Sequence, residues 1–185
     1  MRRDLVERAM AHDHEAFTEL ARLSIDKLYA IARLILHDTQ RAEDATQEAL
    51  VAAWRDIAAL RDPDRFEAWL RRLLVRACYR EARKERALRL VEVHVPLYDQ
   101  SVPDATRDLA DRDELERGFR SLTPDQRALI VLHYYLGLPV SETADALGIP
   151  VGTVKSRLNR TTQALRARLE ADARAADALL GERPA

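Results

Sequence analysis

Residues 122–169 constrain the fold of this chain more than any other stretch, because they carry the start and stop signals of successive helices. The stretch opens with a T-P-x-Q pattern at Thr123, Pro124 and Gln126. In that pattern a hydroxyl caps the helix, a proline occupies its first position, and an amide reaches back to the cap. The pattern predicts a helix over about 124–136.

Two further breaks divide the rest of the stretch. Ser141 is placed to cap a short second helix, and Gly148 can end that helix in the left-handed conformation that costs glycine least. Proline disfavours helical backbone in the residue before it, so Pro150 separates this helix from a third that begins at about Val151. Two short helices followed by a longer one are typical of a helix-turn-helix, which places its last helix in a DNA groove.

The third helix has an apolar face and a basic face. At roughly 100° per residue, one narrow apolar stripe contains Val151, Val154, Leu158, Leu165 and Leu169. The opposite face carries Lys155, Ser156, Asn159, Arg160, Gln163 and Arg166, with Arg157 at its flank. Residues 151–169 include five basic side chains and no acidic one. A solvated helix normally mixes both signs, so the bias indicates an anionic partner, and these side-chain types pair with base edges in the major groove. A basic surface helix of a bundle is the alternative.

Composition narrows the class of protein. A chain of 185 residues can form one domain or two small ones, and the low aromatic content predicts small cores rich in leucine and alanine. The single cysteine, Cys78, excludes an internal disulfide and suits a reducing cytosol. The longest uncharged stretch is 14 residues, Ala128 to Ser141, too short to span a bilayer. Acidic residues stand where a signal peptide would be apolar, so we expect a soluble, intracellular protein without membrane insertion.

The charge is unevenly distributed along the chain. The formal net charge is −1, which alone does not suggest a DNA-binding protein. Residues 61–90, however, hold ten Lys/Arg against five Asp/Glu, a balance of +5, and residues 91–113 hold two against six, a balance of −4. The near-neutral total therefore conceals a basic segment, an acidic connector and a basic final helix.

Helical periodicity dominates the chain and predicts an all-α fold of two small domains. It covers about residues 13–36, 40–58, 65–89, 113–120, 124–136, 141–147 and 151–172. The segment between the two groups of helices has two prolines and no sustained period, which is typical of a linker. We therefore predict a first helical domain over 1–89, an acidic linker over 90–112, a helix-turn-helix domain over 113–172 and a fraying tail over 173–185.

The predicted helix over 40–58 has two different faces. Its apolar side carries Ala42, Ala49, Ala53 and Ile57. Its other side carries Asp44, Gln47, Glu48 and Val51. An acidic patch around one apolar residue fits either a solvated surface or a docking site for a basic protein surface, and spacing alone does not decide between them.

The predicted helix over 65–89 combines aromatic and basic side chains. Its buried side is marked by Phe66, Leu70, Leu73 and Ala77. Steps of three and four residues place on one lateral stripe Trp69, Arg72, Arg76, Tyr79, Arg83 and Arg86. Each base that stacks on an aromatic ring contributes roughly 1 to 3 kcal/mol to binding, and guanidinium groups bind phosphates. The stripe therefore suits single-stranded nucleic acid. The alternative is a helix whose tryptophan belongs to the core and whose arginines are solvated.

Three motifs carry a resemblance to a known family. They are AEDATQEALVAAW at 42–54, FEAWLRRLL at 66–74 with the basic run after it, and the stretch 122–160, in which Gly-Thr-Val-Lys-Ser-Arg at 152–157 is a specific signal. These motifs resemble, in order, region 2.2, regions 2.3 and 2.4, and region 4 of the extracytoplasmic-function (ECF) sigma factors of bacterial RNA polymerase. That group is the minimal one of the sigma-70 family, with only regions 2 and 4.

The resemblance implies a transcription initiation factor that binds core RNA polymerase and directs it to promoters, with no enzymatic activity, cofactor or metal of its own. It implies docking on the polymerase β′ clamp helices through Asp44, Gln47, Glu48 and Val51. It implies that the −10 strand is melted and read by Arg61, Arg65, Phe66, Trp69, Arg72, Arg76, Tyr79 and Arg83. It implies that the −35 major groove is read by Thr153, Lys155, Ser156, Arg157, Asn159 and Arg160. Further implied partners are the polymerase β flap and an anti-sigma factor.

The chain departs from the family pattern in three places. Arg76 stands where many members have Asn, and Arg80 where an Asp often follows, which leaves the −10 sequence preference open. Glu142-Thr143-Ala144 replaces the usual Glu-Ile-Ala of the helix-turn-helix. None of these changes threatens the fold, and the added positive charge should strengthen nonspecific attraction to the strand.

Other classes of protein fit the sequence less well. The five histidines are scattered, Cys78 has no motif around it, and no glycine loop cradles phosphate, so catalysis has little support. A free-standing helix-turn-helix regulator is the main alternative. Such a regulator has no use for the stripe that starts at Trp69 or for the 42–54 motif, and it usually dimerises, for which no heptad seam is present. An interaction protein that sequesters other factors would not need an acid-free final helix.

Overall fold

The computed structural model describes residues 2–91 and 117–181, and the regular structure of both parts is helical. The first part contains α1 (Arg2–Met10), α2 (His14–Leu36), α3 (Thr39–Asp56) and α4 (Phe66–Val91), with 3₁₀ turns at Ile57–Ala59 and Pro63–Arg65 before α4. The second part contains a helical segment at 117–120, then α5 (Pro124–Ile130), a π-helical turn (Val131–Tyr135), α6 (Val140–Leu147) and α7 (Val151–Gly181). The predicted all-α class is confirmed.

Aspartate caps set the beginnings of α2 and α3. The Asp13 carboxylate accepts hydrogen bonds from the backbone N–H groups of Glu15 and Ala16, both at 3.0 Å. The Asp38 carboxylate accepts one from the N–H of Arg41 at 2.9 Å. Each cap pairs N–H groups that the first turn of a helix leaves without a partner, and so fixes where the helix starts.

The core of the first domain matches the predicted apolar faces. On α3 and the turn that follows it, the predicted apolar residues are at most 1% exposed: Ala42, Ala49, Ala53 and Ile57. On α4 the residues predicted to be buried are at most 8% exposed: Phe66, Leu70, Leu73 and Ala77. Because the α3 face is made of alanines, this helix can lie close to α2 and α4, and Leu20, Ile31 and Leu74 fill the space between them.

The helix α1 is absent from the sequence prediction. Only Val6 and Ala9 of this segment are buried, which is too few to produce a detectable period. Long-range ion pairs also hold it, as in the contact of Arg3 with Asp64 at 2.6 Å. The sequence gives no signal for such a contact, because the partners are far apart along the chain.

The predicted start of α5 and the predicted end of α6 are both confirmed. The N–H of Thr123 donates to Oε1 of Gln126 at 2.9 Å, and the N–H of Gln126 donates to the Thr123 hydroxyl oxygen at 3.3 Å. These two bonds form the reciprocal cap that the T-P-x-Q pattern predicts. Gly148 ends α6 with a φ of 67°, in the left-handed region where a residue with a Cβ is strained.

The prediction that Ser141 caps α6 is wrong. The helix begins at Val140, and Ser141 lies inside its first turn. Pro139 occupies the cap position with a φ of −54°, and its carbonyl accepts a hydrogen bond from the N–H of Thr143 at 2.9 Å. Because the proline ring already fixes φ near the helical value, the helix starts two residues earlier than a cap at Ser141 would allow.

Several helices differ in extent from their predictions. The helix predicted over 124–136 is α-helical only to Ile130 and continues as the π-helical turn. The backbone of α7 is helical to Gly181, beyond the predicted end of this helix at residue 172. The predicted linker, 90–112, lies outside the described residues except for its first two, which belong to α4.

The helix-turn-helix domain packs against α2 and α4 of the first domain. Ala128 and Val131 are buried in the same apolar cluster as the core of the first domain. A separate small cluster joins Val75 of α4 to Leu132 and Ala146. We call the contact formed by these five residues the seam. It brings residues of α4 and α7, the two helices that are predicted to bind DNA, to the edges of one cleft.

Candidate nucleic-acid interface

The polar face of α7 is accessible near the start of the helix. Thr153 is half-buried, and the exposed members are Lys155, Ser156, Arg157, Asn159 and Arg160. On the opposite side, Val154 and Leu158 are buried against Leu129 and Ala144. The predicted separation of a polar face from an apolar face is confirmed for this part of the helix.

Two positions on the apolar side of α7 differ from the sequence pattern. Val151, at the first position of the helix, is 43% exposed. Thr161 is 2% exposed and was not predicted to be buried. Thr161 follows Val154 by seven residues and Leu158 by three. This helical spacing could have predicted that Thr161 shares their buried side.

Local hydrogen bonds order part of the polar face. The Ser156 hydroxyl donates to the carbonyl of Thr153 at 3.0 Å, and Nε of Arg160 donates to the carbonyl of Ser156 at 3.3 Å. The first turn of α7 contains no acidic residue, and the N-terminus of a helix carries partial positive charge. The face therefore offers positive charge and hydrogen-bond donors to an anionic partner.

The aromatic and basic stripe of α4 is only partly accessible. Its exposed members are Arg76, Arg83 and Arg86, and its half-buried members are Trp69, Arg72 and Tyr79. Trp69 packs against the core of the first domain, with its ring centroid 6.1 Å from that of Phe66. Phe66 is 3% exposed, so the structure places this predicted strand contact inside the core. Before the helix, Arg61 and Arg65 are exposed.

Tyr79 lies where the helix-turn-helix domain meets the stripe of α4. It borders a cleft of about 260 Å³ whose other lining residues are Arg83, Asp125, Leu129, Leu147, Ile149 and Arg157. Burial raises the pKa of the Tyr79 hydroxyl well above its usual value, and the Asp125 carboxylate raises it further. The helix-turn-helix domain thus partly covers one ring of the stripe and brings Arg157 of α7 to its edge.

Buried guanidinium groups weaken the contact between the domains. The Nε atoms of Arg71 and Arg127 are buried and have no hydrogen-bond partner among the described residues. Burial also lowers the pKa of Arg127 from its usual value. Arg71 reaches Glu142 of α6 only at 3.8 Å. An unpaired buried polar atom costs roughly 1 to 3 kcal/mol, so these groups oppose the apolar attraction at the seam.

The predicted acidic face of α3 is accessible. Glu48 is half-buried, and the exposed members are Asp44, Gln47 and Val51, the last to 55%. A shallow cleft of about 420 Å³ runs between this face and α4, where it is lined by Glu81 and Lys84. We call these six residues the docking cleft. It combines carboxylates with one exposed apolar side chain.

Arg80 belongs to this acidic side of the molecule and not to the stripe of α4. Its Nε donates to Oε1 of Glu48 at 2.7 Å. The sequence analysis associated Arg80 with the −10 preference, because it follows the strand-binding motif closely. In the structure, the Arg80 side chain lies against α3 instead.

Cys78 is a core residue in this structure. Burial raises the pKa of its thiol to about 12, so the group stays protonated at neutral pH.

Within residues 2–91 and 117–181, no group of three or more His, Cys, Asp or Glu side chains is arranged to hold a metal ion. No helix in these ranges is long and apolar enough to cross a membrane.

The fold and its two basic surfaces define a DNA-binding protein of the helix-turn-helix class with a second, helical nucleic-acid-binding domain. Residues 20–88 match the family profile described as sigma-70 region 2, and residues 112–165 match the profile described as sigma-70, region 4. The chain belongs to the sigma-70 family of RNA polymerase sigma factors, in its ECF group. It is therefore a transcription initiation factor that binds core RNA polymerase and directs it to promoters through −10 and −35 contacts.

Similar proteins come from several bacteria. The chain is 38% identical over 173 residues to the RNA polymerase sigma-E factor of Streptomyces avermitilis, covering 90% of this chain and 94% of that protein. It is 33% identical over 158 residues to the ECF RNA polymerase sigma factor SigM of Mycobacterium tuberculosis, covering 85% and 79%. It is 30% identical over 169 residues to the ECF RNA polymerase sigma factor SigW of Bacillus subtilis, covering 85% and 90%.

Two solved structures have a similar fold. RpoE from Bartonella quintana, solved with the anti-sigma factor NepR, has a TM-score of 0.69 and 26% identity over 84% of this chain and 98% of that one. CnrH, solved with the cytosolic domain of CnrY, has a TM-score of 0.64 and 29% identity over 92% of this chain and 98% of that one.

The residues of the seam are not among the site residues predicted from the sequence. Val75 is 1% exposed, yet it lies off the predicted buried side of α4. The valine at position 75 could have indicated this contact, because it is an apolar residue outside the predicted buried side of the helix. Its partners Leu132 and Ala146 lie in the other domain, so the pattern within one helix does not identify them.

Proposed function

We propose that the two domains divide the work of promoter binding. In this proposal the first domain, over 1–89, docks on the polymerase and binds the −10 strand, and the domain over 113–172 binds the −35 duplex. The observation that carries it is the opposite charge of two separate exposed faces: α7 is polar and free of acids near its start, whereas α3 is acidic. A basic face suits DNA, and an acidic face suits a basic protein surface.

The docking contact uses the acidic face of α3. Asp44, Gln47 and Glu48 pair with basic and polar side chains of the β′ clamp helices, and Val51 supplies an apolar contact among them. Exposure of Val51 to 55% supports this role, since it places a large apolar side chain among carboxylates. The resemblance to the family adds the β flap as a contact of the helix-turn-helix domain.

The −10 contact uses the stripe of α4 and the segment before it. The residues that bind the strand are Arg61, Arg65, Trp69, Arg72, Arg76, Tyr79 and Arg83. Phe66 supports the Trp69 ring from the core, because it is buried. Stacking and phosphate contacts along this stripe offset the few kcal/mol that unstacking of a base costs. Full access to Tyr79 requires the helix-turn-helix domain to move away from α4.

The −35 contact uses the start of α7. This part of the helix enters the major groove, where base edges and phosphates meet Thr153, Lys155, Ser156, Arg157, Asn159 and Arg160. The apolar side, with Val154 and Leu158, stays packed on the domain and holds the helix in place. An anti-sigma factor is a further partner, by analogy with the solved complex of RpoE with the anti-sigma factor NepR. A factor of this kind acts in the bacterial cytoplasm, where the polymerase is.

Gel filtration with core RNA polymerase that lacks any sigma subunit tests the proposed function. We expect the chain to co-elute with the polymerase and to be displaced by a housekeeping sigma factor, because both would use the same docking surface. Failure to bind the polymerase, with DNA binding retained, would instead support a free-standing regulator.

Arg160→Ala is expected to weaken binding to a −35 duplex by about five- to one-hundredfold, since a good contact to a base edge is worth roughly 1 to 3 kcal/mol. Fluorescence anisotropy with a labelled duplex measures the change. Arg168→Ala is the matched control, because Arg168 is also exposed on α7 but lies two turns beyond the proposed contact. Polymerase binding should not change in either variant. An equal loss of DNA and polymerase binding in Arg160→Ala would contradict the division between the domains.

A further inference from the structure

Two basic side chains of α4 reach into the docking cleft. Nε of Arg80 donates to Oε1 of Glu48 at 2.7 Å. Four residues further along the helix, Nζ of Lys84 contacts Oε1 of Glu81 at 2.5 Å. Two carboxylates of the cleft, Glu48 and Glu81, therefore already have cationic partners within the same chain.

Lys84 also interacts electrostatically with carboxylates of the cleft other than Glu81. Its pKa is raised mainly by the hydrogen bond from its ammonium group to Glu81, and also by the negative charges of Glu48 and Asp44. Lys84 is thus close enough to three carboxylates of the cleft to reduce the negative charge that a partner would meet. The Lys84 side chain is 64% exposed, so it can move away from this position at little cost.

The Glu48 carboxylate is only partly satisfied by Arg80. Its Oε2 atom is buried and has no hydrogen-bond partner among the described residues. An ionised carboxylate has about four acceptor positions, so Glu48 retains the capacity to accept from a second cation. To use it, the side chain has to turn outwards and loosen its contact with Arg80.

We propose that Arg80 and Lys84 are internal counter-ions of the docking cleft, which the polymerase must displace when it binds. The inference rests on the proposed function of Asp44, Glu48 and Val51. The occupant of the cleft is then a protein surface that carries arginine or lysine side chains next to an apolar contact for Val51. Basic groups of the partner take over the carboxylates, and the α4 cations swing into solvent.

A consequence is that Arg80 lowers the affinity for the polymerase through Glu48, without a contact of its own with the partner. Exposed ion pairs are weak, so their displacement lowers the affinity by a small factor and does not block binding. Arg80 is then a positioning residue, because it acts by holding Glu48 away from the partner. This role also accounts for an arginine at a place where the family resemblance led us to expect an acid.

Arg80→Met tests the inference, because methionine keeps the aliphatic stem and removes the charge. We expect this variant to bind core polymerase about two- to fivefold more tightly than the wild type. This range follows from the free energy that one exposed ion pair contributes. Arg80→Lys keeps the charge and should bind like the wild type. The matched control is Arg86→Met, which removes the same charge from an exposed position on the same helix.

The affinity is measured at two salt concentrations, and the gain in Arg80→Met should shrink at the higher one because salt screens exposed charges. Unchanged or weaker binding of Arg80→Met would overturn the inference, as would an equal gain in Arg86→Met. These outcomes are distinct from a failure of the proposed function, in which the wild-type chain itself does not bind the polymerase. Circular dichroism of each variant checks that the helices are intact.

Discussion

Asp44→Arg is expected to weaken binding of the chain to core RNA polymerase by at least about 100-fold, because like charges that face each other at an interface cost several kcal/mol. Asp44 is exposed on α3 and shares its face with Glu48 and Val51. Arginine there repels a basic partner and also removes a carboxylate that now attracts Lys84. Titration of a fluorescently labelled chain with core polymerase measures the dissociation constant.

The control for this variant is Glu43→Arg. Glu43 is the preceding residue on α3, is also exposed, and undergoes the same change of charge, but it points roughly 100° away around the helix. We expect its effect to stay within about threefold, as for other exposed charges outside a contact. Binding to a −35 duplex should be unchanged in both variants. If Asp44→Arg bound polymerase normally, α3 would not be the docking helix.

Local chemistry made most of the helices predictable. The reciprocal cap between Thr123 and Gln126 and the left-handed Gly148 depend on residues close together in sequence, and both appear as expected. Ser141 shows the limit of this approach. Ser141 and Pro139 are both candidates for the cap of α6. Pro139 occupies it, because its ring fixes φ near the helical value.

Contacts between distant segments were not predictable, because a pattern within one helix shows which residues are apolar or charged but not what covers them. Val75 is buried by residues of the other domain, and α1 is held by partners that follow it by some sixty residues, such as Asp64 with Arg3. Arg80 is the clearest case for the candidate site. Its place near the strand-binding motif suggested a role with DNA, whereas the neighbouring α3 provides its partner, Glu48.

The helix α4 connects the functions that the sequence analysis treated separately. One side holds the core through Leu70 and Leu74, and a second side carries the stripe that includes Tyr79. A third side supplies Arg80 to the docking cleft. The seam meets the helix at Val75, four residues before Tyr79. The proposed docking on the polymerase, the proposed binding of the strand and the contact between the domains therefore all involve one helix.

Val75→Glu is expected to separate the two domains. Val75 is 1% exposed, and the buried residues that surround it, Leu132 and Ala146, belong to the helix-turn-helix domain. A carboxylate placed there replaces an apolar contact, and taking its charge out of water costs several kcal/mol even though Arg71 lies one turn earlier on the helix. The joined arrangement should therefore be disfavoured by at least about 100-fold relative to the separated one. Small-angle X-ray scattering should show a larger radius of gyration than for the wild type.

The matched control is Ala87→Glu, which adds the same charge at an exposed position of α4 and should leave the radius of gyration unchanged. Hydrogen exchange adds a local measurement, because separation should speed the exchange of amides in α5 and α6 that face α4. Helical content should stay the same, since Val75 lies outside the main core cluster of the first domain. An unchanged radius in Val75→Glu would show that the seam does not depend on this residue. A loss of helical content would show that Val75 supports the first domain itself, and the seam would then be a by-product of its packing.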